Sequence, residues 1–254
     1  MINATPLRPG EVLGHDEGFE AIREAPERRE VRAACDGAED DAQAMVALRA
    51  AKQHAHLLIA LADLGGVWDV VQVTGALSRF ADTAVSSALR YLLHRGAEAG
   101  RLQLVDAGDP ERDCGFVMLA LGKHGACELN YSSDVDLVAF FDPDSKCLLE
   151  GAAPGPVFVR LTQALAKLLQ ERTGEGYALR VDLRLRPDPG STSVAVSLPA
   201  AFDYYETLGQ NWERAAFIKL LDGPQEPEIY AWAMGFEQVP EEFAEVIREF
   251  RNYR

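Results

Sequence analysis

The apolar positions of this chain change their period once, near residue 110. Before that point they recur at three- and four-residue steps, the spacing of an amphipathic helix. "AQAMVALRAAKQHAHLLIALADL" predicts a first helix, ended by Gly65-Gly66. Asp69 is placed to cap a second, "VVQVTGALSRFADTAVSSALRYLLHRG", with Gly96 as its stop. Leu77, Phe80, Ala84, Ala88 and Tyr91 form its apolar face. After "AGDPERDC" the pattern becomes that of strands. "GFVMLAL" is a continuous apolar run, consistent with a strand buried on both faces. A polar connection, "GKHGACELNYSS", leads to a second strand, "DVDLVAFF". A third helix follows in "VFVRLTQALAKLLQERTGEG", with Phe158, Leu161, Leu165, Leu168 and Leu169 inward and Gly174 or Gly176 as its stop. "YALRVDLRLRP" then alternates cleanly, with Arg180, Asp182, Arg184 and Arg186 on one face and leucines and a valine on the other. Pro187, Pro189 and Gly190 end that strand, and helices are expected in "LPAAFDYYETLG" and "NWERAAFIKLLDG".

Four regions follow from this pattern. Residues 1–41 are an acidic leader, read as loose or partly helical. Residues 42–106 are a helical region, 107–200 an α/β region, and 201–254 C-terminal helices with an acidic tail. No repeat or low-complexity tract interrupts them.

Composition narrows the class. Hydrophobic residues make up 48% of the chain and no apolar run reaches membrane-spanning length, so the expectation is a soluble protein with no membrane partner. No basic patch followed by an apolar stretch marks a signal peptide at the N-terminus. Cys35, Cys114, Cys127 and Cys147 are far apart, with no CxxC pair, which fits reduced thiols in the cytoplasm. A net charge of −15 repels a phosphate backbone and argues against a nucleic-acid partner. His54 and His56 point to different faces of their helix, so they do not make a metal site.

Within the second strand, Asp134 and Asp136 lie on one face, about 6.6 Å apart along the backbone. Two like charges there are costly unless a cation lies between them. A hard divalent ion such as Mg²⁺ prefers oxygen ligands and shares its shell with substrate phosphates. If the two strands are neighbours, Asp182 completes a three-carboxylate cluster, with arginines nearby for phosphate. Gly122 and Lys123 open the connection after the first strand and present backbone N–H groups and an ammonium to an anion. Ser132 and Ser133 adjoin the candidate metal site. Plainer roles exist for each of these: a DxD pair as a turn or cap, Ser132 and Ser133 as turn caps, Lys123 as a surface lysine, the arginines as a solvated strand face. Together, in this order, they have the layout of a nucleotidyltransferase palm.

Two long segments extend this reading by resemblance. "LGKHGACELNYSSDVDLVAFFD" and "RVDLRLRPDPGSTSVAVSLPAAFDYYETLGQNWERAAFIK" resemble the glutamine synthetase adenylyltransferase/adenylyl-removing enzymes, members of the DNA polymerase β-like nucleotidyltransferase superfamily. The resemblance covers roughly residues 45–220. It implies an α/β (α+β) fold: a palm with a mixed sheet over residues 107–200, flanked by N- and C-terminal helices. It implies Asp134, Asp136 and Asp182 as catalytic Mg²⁺ ligands. Gly122, Lys123, Ser132, Ser133, Arg184 and Arg186 would serve phosphate or nucleotide. Ser133 before Asp134, and Arg214 after Glu213, resemble the adenylyl-removing domain of those two-domain enzymes. The implied reaction is phosphorolysis of AMP from adenylylated glutamine synthetase, giving ADP. The alternatives are forward transfer of AMP from ATP to a protein tyrosine, and a non-catalytic module that binds glutamine synthetase or a PII-type signalling protein. In the loop after Lys123, His124, Ala126 and Cys127 depart from the family's usual GKLGG.

Overall fold

A computed structural model describes residues 26–208 of the chain. Ten elements are present there. Helices α1 (Pro26–Asp36), α2 (Asp41–Leu64) and α3 (Val70–Glu98) precede strand β1 (Phe116–Leu121) and a single turn, α4 (Gly122–Gly125). Strand β2 (Val135–Phe141), helix α5 (Pro154–Gln170), strands β3 (Val181–Asp182) and β4 (Ala195–Ser197), and helix α6 (Leu198–Thr207) complete it.

The sheet is mixed, with β2 at its centre. β1 runs antiparallel to one edge of β2; β3 and β4 run parallel to the other, β3 at its start and β4 at its end. A parallel return needs a crossover, and α5 supplies it. Its Phe158 ring stacks on Phe116 and Phe141, with centroids 5.6 and 5.0 Å away. β1 is buried along its whole length and β2 everywhere but Asp136, so both strands are covered on both faces. Among the described residues, no helix is long and apolar enough to cross a membrane.

The helical layer forms largely as its pattern predicts. Gly65 caps α2. Asp69 caps α3, with a reciprocal bond from its own N–H to Gln72. All five residues of the predicted α3 face are buried. Gly96, however, does not end α3. It lies inside the helix, where a Cβ would meet Leu102 Cδ2 at 2.8 Å, so its small size serves close packing. Within the segment read as a leader, α1 is helical and packed: Val31 and Cys35 are buried, and the Arg32 guanidinium donates to Ser86 Oγ on α3. Cys35, Cys114, Cys127 and Cys147 are free thiols.

The third predicted helix also stops early, at Gln170. Its end is held by Arg49 of α2, a fully buried side chain. The Arg49 guanidinium donates to Leu168 O (3.1 Å), to Glu171 O, to Gly176 O (2.9 Å) and, within α2, to Met45 O (2.9 Å). One turn on, Lys52 donates to Tyr177 O and lies 4.0 Å over the Tyr177 ring. One face of α2 thus fixes residues 171–177, the lead-in to β3.

The predicted strand over 177–187 is the main correction. Only Val181 and Asp182 are strand, although the Val135 N–H also donates to Arg180 O. The Arg184 N–H donates to Asp182 Oδ1 at 2.8 Å, turning the chain out of the ladder. Pro187 and Pro189 have no N–H with which to re-enter it. The helix predicted in "NWERAAFIKLLDG", with Trp212, Glu213 and Arg214, lies outside the described residues.

One buried carboxylate makes stability depend on pH. Glu111 is buried, accepts a hydrogen bond from Ser86 Oγ at 2.8 Å, and is pushed up to about 8 by burial. Its folded-state value exceeds its ordinary one, so the folded chain keeps a proton that the unfolded chain releases. That stability is present below about 4.5 and is lost as pH rises through about 8. Glu111→Gln should therefore flatten the decline and raise stability at pH 8 by about 1–3 kcal/mol. Urea titrations of both proteins at pH 5 and pH 8 check this.

Candidate active site

The site lies where β1 ends and β2 begins. Leu121 is the cross-strand partner of Asp136, and Asp136 is the partner of Asp182 on β3. Direct cross-strand neighbours share a face of the sheet, so the two carboxylates stand side by side. Asp134, two residues before Asp136, precedes the strand and is exposed.

Asp136 is half-buried, and burial raises its pKa, with the charges of Asp182 and then Asp134 adding to the effect. Asp182 is shifted the opposite way because the Arg184 side chain hydrogen-bonds to it. Arg184 Nε reaches Asp182 Oδ1 at 3.0 Å and Oδ2 at 2.9 Å, and its Nη2 also donates to Oδ2. Arg180 Nε binds Asp134 Oδ1, while its Nη2 binds the carbonyl of Ser132. Among the described residues, no three His, Cys, Asp or Glu side chains close into a metal cage. The three aspartates are gathered at one end of the sheet, with two of them held by arginines.

Gly122 is fitted to this carboxylate. Its φ is +56°, in the left-handed region that side chains resist, and a Cβ there would lie 2.6 Å from Asp136 Oδ2. The glycine lets the backbone of α4 approach the acid. Gly122→Ala is expected to displace the Asp136 side chain. It should cost about 1–2 kcal/mol from backbone conformation alone, and activity should fall further than stability explains. Melting curves and turnover measured side by side would separate the two.

The remaining predicted residues fall around this centre. Lys123 is exposed on α4. Ser132 and Ser133 organise the turn into β2: Ser133 Oγ accepts the Asn130 N–H at 3.1 Å, and the Ser132 N–H donates to Asn130 Oδ1 at 2.9 Å. Arg186 holds its own loop, donating to Leu183 O at 2.7 Å and Pro189 O at 2.8 Å. Tyr205 is buried and meets Tyr204 edge to face.

Pattern reading missed the struts beneath the loop. His124, fully buried, pairs through Nε2 with Asp82 Oδ1 of α3 at 2.8 Å. The Leu129 N–H reaches Ser78 Oγ of α3, and the Tyr131 hydroxyl reaches Asp63 Oδ2 of α2 at 3.1 Å. His56 packs edge-on against Phe80 and Tyr131, and burial lowers its pKa to about 4. The helical layer therefore carries the loop that shapes the site. A signal was present in Asp82, a carboxylate set between buried Ala81 and buried Thr83 on an apolar helix.

The sequence is also similar to known proteins. Three relatives are each named bifunctional glutamine synthetase adenylyltransferase/adenylyl-removing enzyme. One from a Bradyrhizobium species is 59% identical over 72% of this chain and 18% of its own length. Those from Xanthobacter autotrophicus and Bradyrhizobium diazoefficiens are 51% and 54% identical over 86% of this chain and 22% of their own lengths. The chain thus spans about a fifth of the curated relatives it matches. The sequence model of the family described as glutamate-ammonia ligase adenylyltransferase matches residues 10–229, and the chain belongs to that family.

Proposed function

We propose that this chain removes AMP from an adenylylated tyrosine of glutamine synthetase by phosphorolysis, releasing ADP, on a DNA polymerase β-like palm built from β1–β4. The observation that carries the reading is Asp136 set beside Asp182 on neighbouring strands, with Asp134 close by and Gly122 making room behind them. Ser133 before Asp134 supports the removing direction by resemblance, as do Glu213 and Arg214 in the undescribed part of the chain.

The donor chemistry of the carboxylates suits Mg²⁺. All three offer hard oxygen donors, and burial, then the charges of Asp182 and Asp134, penalise ionisation of Asp136, a penalty that a bound cation would offset. Asp134, Asp136 and Asp182 would hold the ion, and its charge would stabilise the negative oxygens of the reacting phosphates. The chain's own residues then bind and orient the reactants. Gly122 keeps the backbone close to Asp136, and Lys123, the next residue, offers an exposed ammonium. In the reaction, an oxygen of inorganic phosphate bonds to the adenylyl phosphorus while the bond from that phosphorus to the tyrosyl oxygen breaks. The tyrosyl oxygen takes up a proton, leaving ADP and unmodified glutamine synthetase.

Incubating the chain with adenylylated glutamine synthetase, phosphate and Mg²⁺ should yield ADP at a rate that rises with phosphate. ATP with unmodified glutamine synthetase should give little labelled protein. Efficient AMP transfer from ATP, without phosphate-dependent release, would reverse the assigned direction.

A further inference from the structure

We propose that Arg180 and Arg184 are cation-responsive clamps, which hold Asp134 and Asp182 until a divalent ion binds and are then released to grip the phosphate of the substrate. The proposal rests on the metal-dependent reading above and adds a role that couples its two ligands.

Both oxygens of Asp182 are taken by Arg184, one of them also by the Arg184 N–H. Yet 82% of the Arg184 side chain is exposed, against 15% for Asp182. Asp134 and Arg180 are also both well exposed. Both guanidinium groups thus face solvent, which screens their pairs, and ordering a long exposed side chain opposes them. Arg186 differs, being held by three loop carbonyls. Arg49 differs too, being buried. Of these four arginines, only Arg180 and Arg184 rest on the acids of the site.

A guanidinium and a divalent ion compete for the same oxygens. The ion carries the greater charge and also draws on Asp136, whereas the two arginines pair with Asp134 and Asp182. Binding it displaces the arginines and adds like-charge repulsion that keeps them away. The displaced forks match phosphate oxygens in geometry and charge, and they stand at the rim of the cluster where phosphate must arrive. Cation and phosphate should therefore tighten one another reciprocally.

Mn²⁺ serves as the probe, its free concentration read by electron paramagnetic resonance on the full chain, with and without inorganic phosphate. Relative to wild type, Arg184→Gln should bind Mn²⁺ about two- to fivefold more tightly. It should bind phosphate less well, and phosphate should tighten Mn²⁺ less than in wild type, since only Arg180 remains to couple them. Arg184→Lys, which keeps the charge and loses the fork, should also bind Mn²⁺ more tightly. Equal Mn²⁺ affinity in wild type and Arg184→Gln would overturn the proposal, as would full mutual tightening in that variant. Tightening in Arg184→Gln but not in Arg184→Lys would reduce the effect to net charge and overturn it as well. Mn²⁺ binding that Asp136→Asn leaves unchanged would instead remove the metal site, and with it the reading on which the clamps depend.

Discussion

Asp136→Asn is expected to lower turnover about a thousandfold while leaving the chain folded. Asp136 is the carboxylate on which the site converges: Leu121 and Asp182 flank it across the sheet, and Gly122 stands against its Oδ2. Asparagine keeps the shape but loses the negative charge that a metal ion requires. The same change relieves the folded state. Burial and the charges of Asp182 and Asp134 hold the pKa of Asp136 above its ordinary value, so its ionised form is disfavoured on folding. Wild type should therefore gain stability as pH falls through that raised value, and the variant should not. At pH 7 the variant should unfold at the same or a higher urea concentration. Wild-type turnover in the variant, with Mg²⁺ present, would remove the metal role.

Arg49→Met should destabilise the chain by about 3 kcal/mol or more. Methionine fills much of the volume of arginine but donates nothing. Leu168 O and Glu171 O, at the end of α5, would lose the guanidinium that satisfies them. Gly176 O would keep only its bonds from Thr173. A buried carbonyl left without a donor costs about 1–3 kcal/mol, which applies in full to Leu168 O and in part to Glu171 O, whose bond is only partly buried. The effect should reach the chemistry, because residues 171–177 lead directly into β3 and Asp182. Calorimetric melting of the variant checks the first claim. A loss of turnover in the protein still folded at low temperature checks the second. An unchanged melting temperature would show that Arg49 is not the strut described.

The central strands were legible because burial on both faces leaves a short uninterrupted apolar run, bounded by turn residues, of the length a covered strand has. The predicted span Gly115–Leu121 differs from β1 by one residue. The helices were legible by face and less so by end. Gly96 reads as a stop by composition, yet it serves close contact with Leu102. Gln170 ends α5 because Arg49, far away in sequence, supplies donors there. β3 was over-read because alternation describes side chains and says nothing about backbone hydrogen bonds. Asp182 takes the Arg184 N–H, and the prolines remove two more. The aspartates were named from their spacing, and the structure places Asp136 beside Asp182. Their clamps and struts were not assigned, since Asp134 with Arg180 and His124 with Asp82 are pairings across long sequence distances.

Phosphorolysis at this carboxylate cluster leaves its mark on the fate of the phosphate. Adenylylated glutamine synthetase, labelled in the AMP group, is mixed with the chain, Mg²⁺ and ¹⁸O-labelled inorganic phosphate, and the released nucleotide is examined by mass spectrometry. The account predicts ADP whose β-phosphate carries the ¹⁸O, formed by wild type and lost in Asp136→Asn. Release as free AMP, or ¹⁸O-labelled ADP formed equally well by Asp136→Asn, would contradict it.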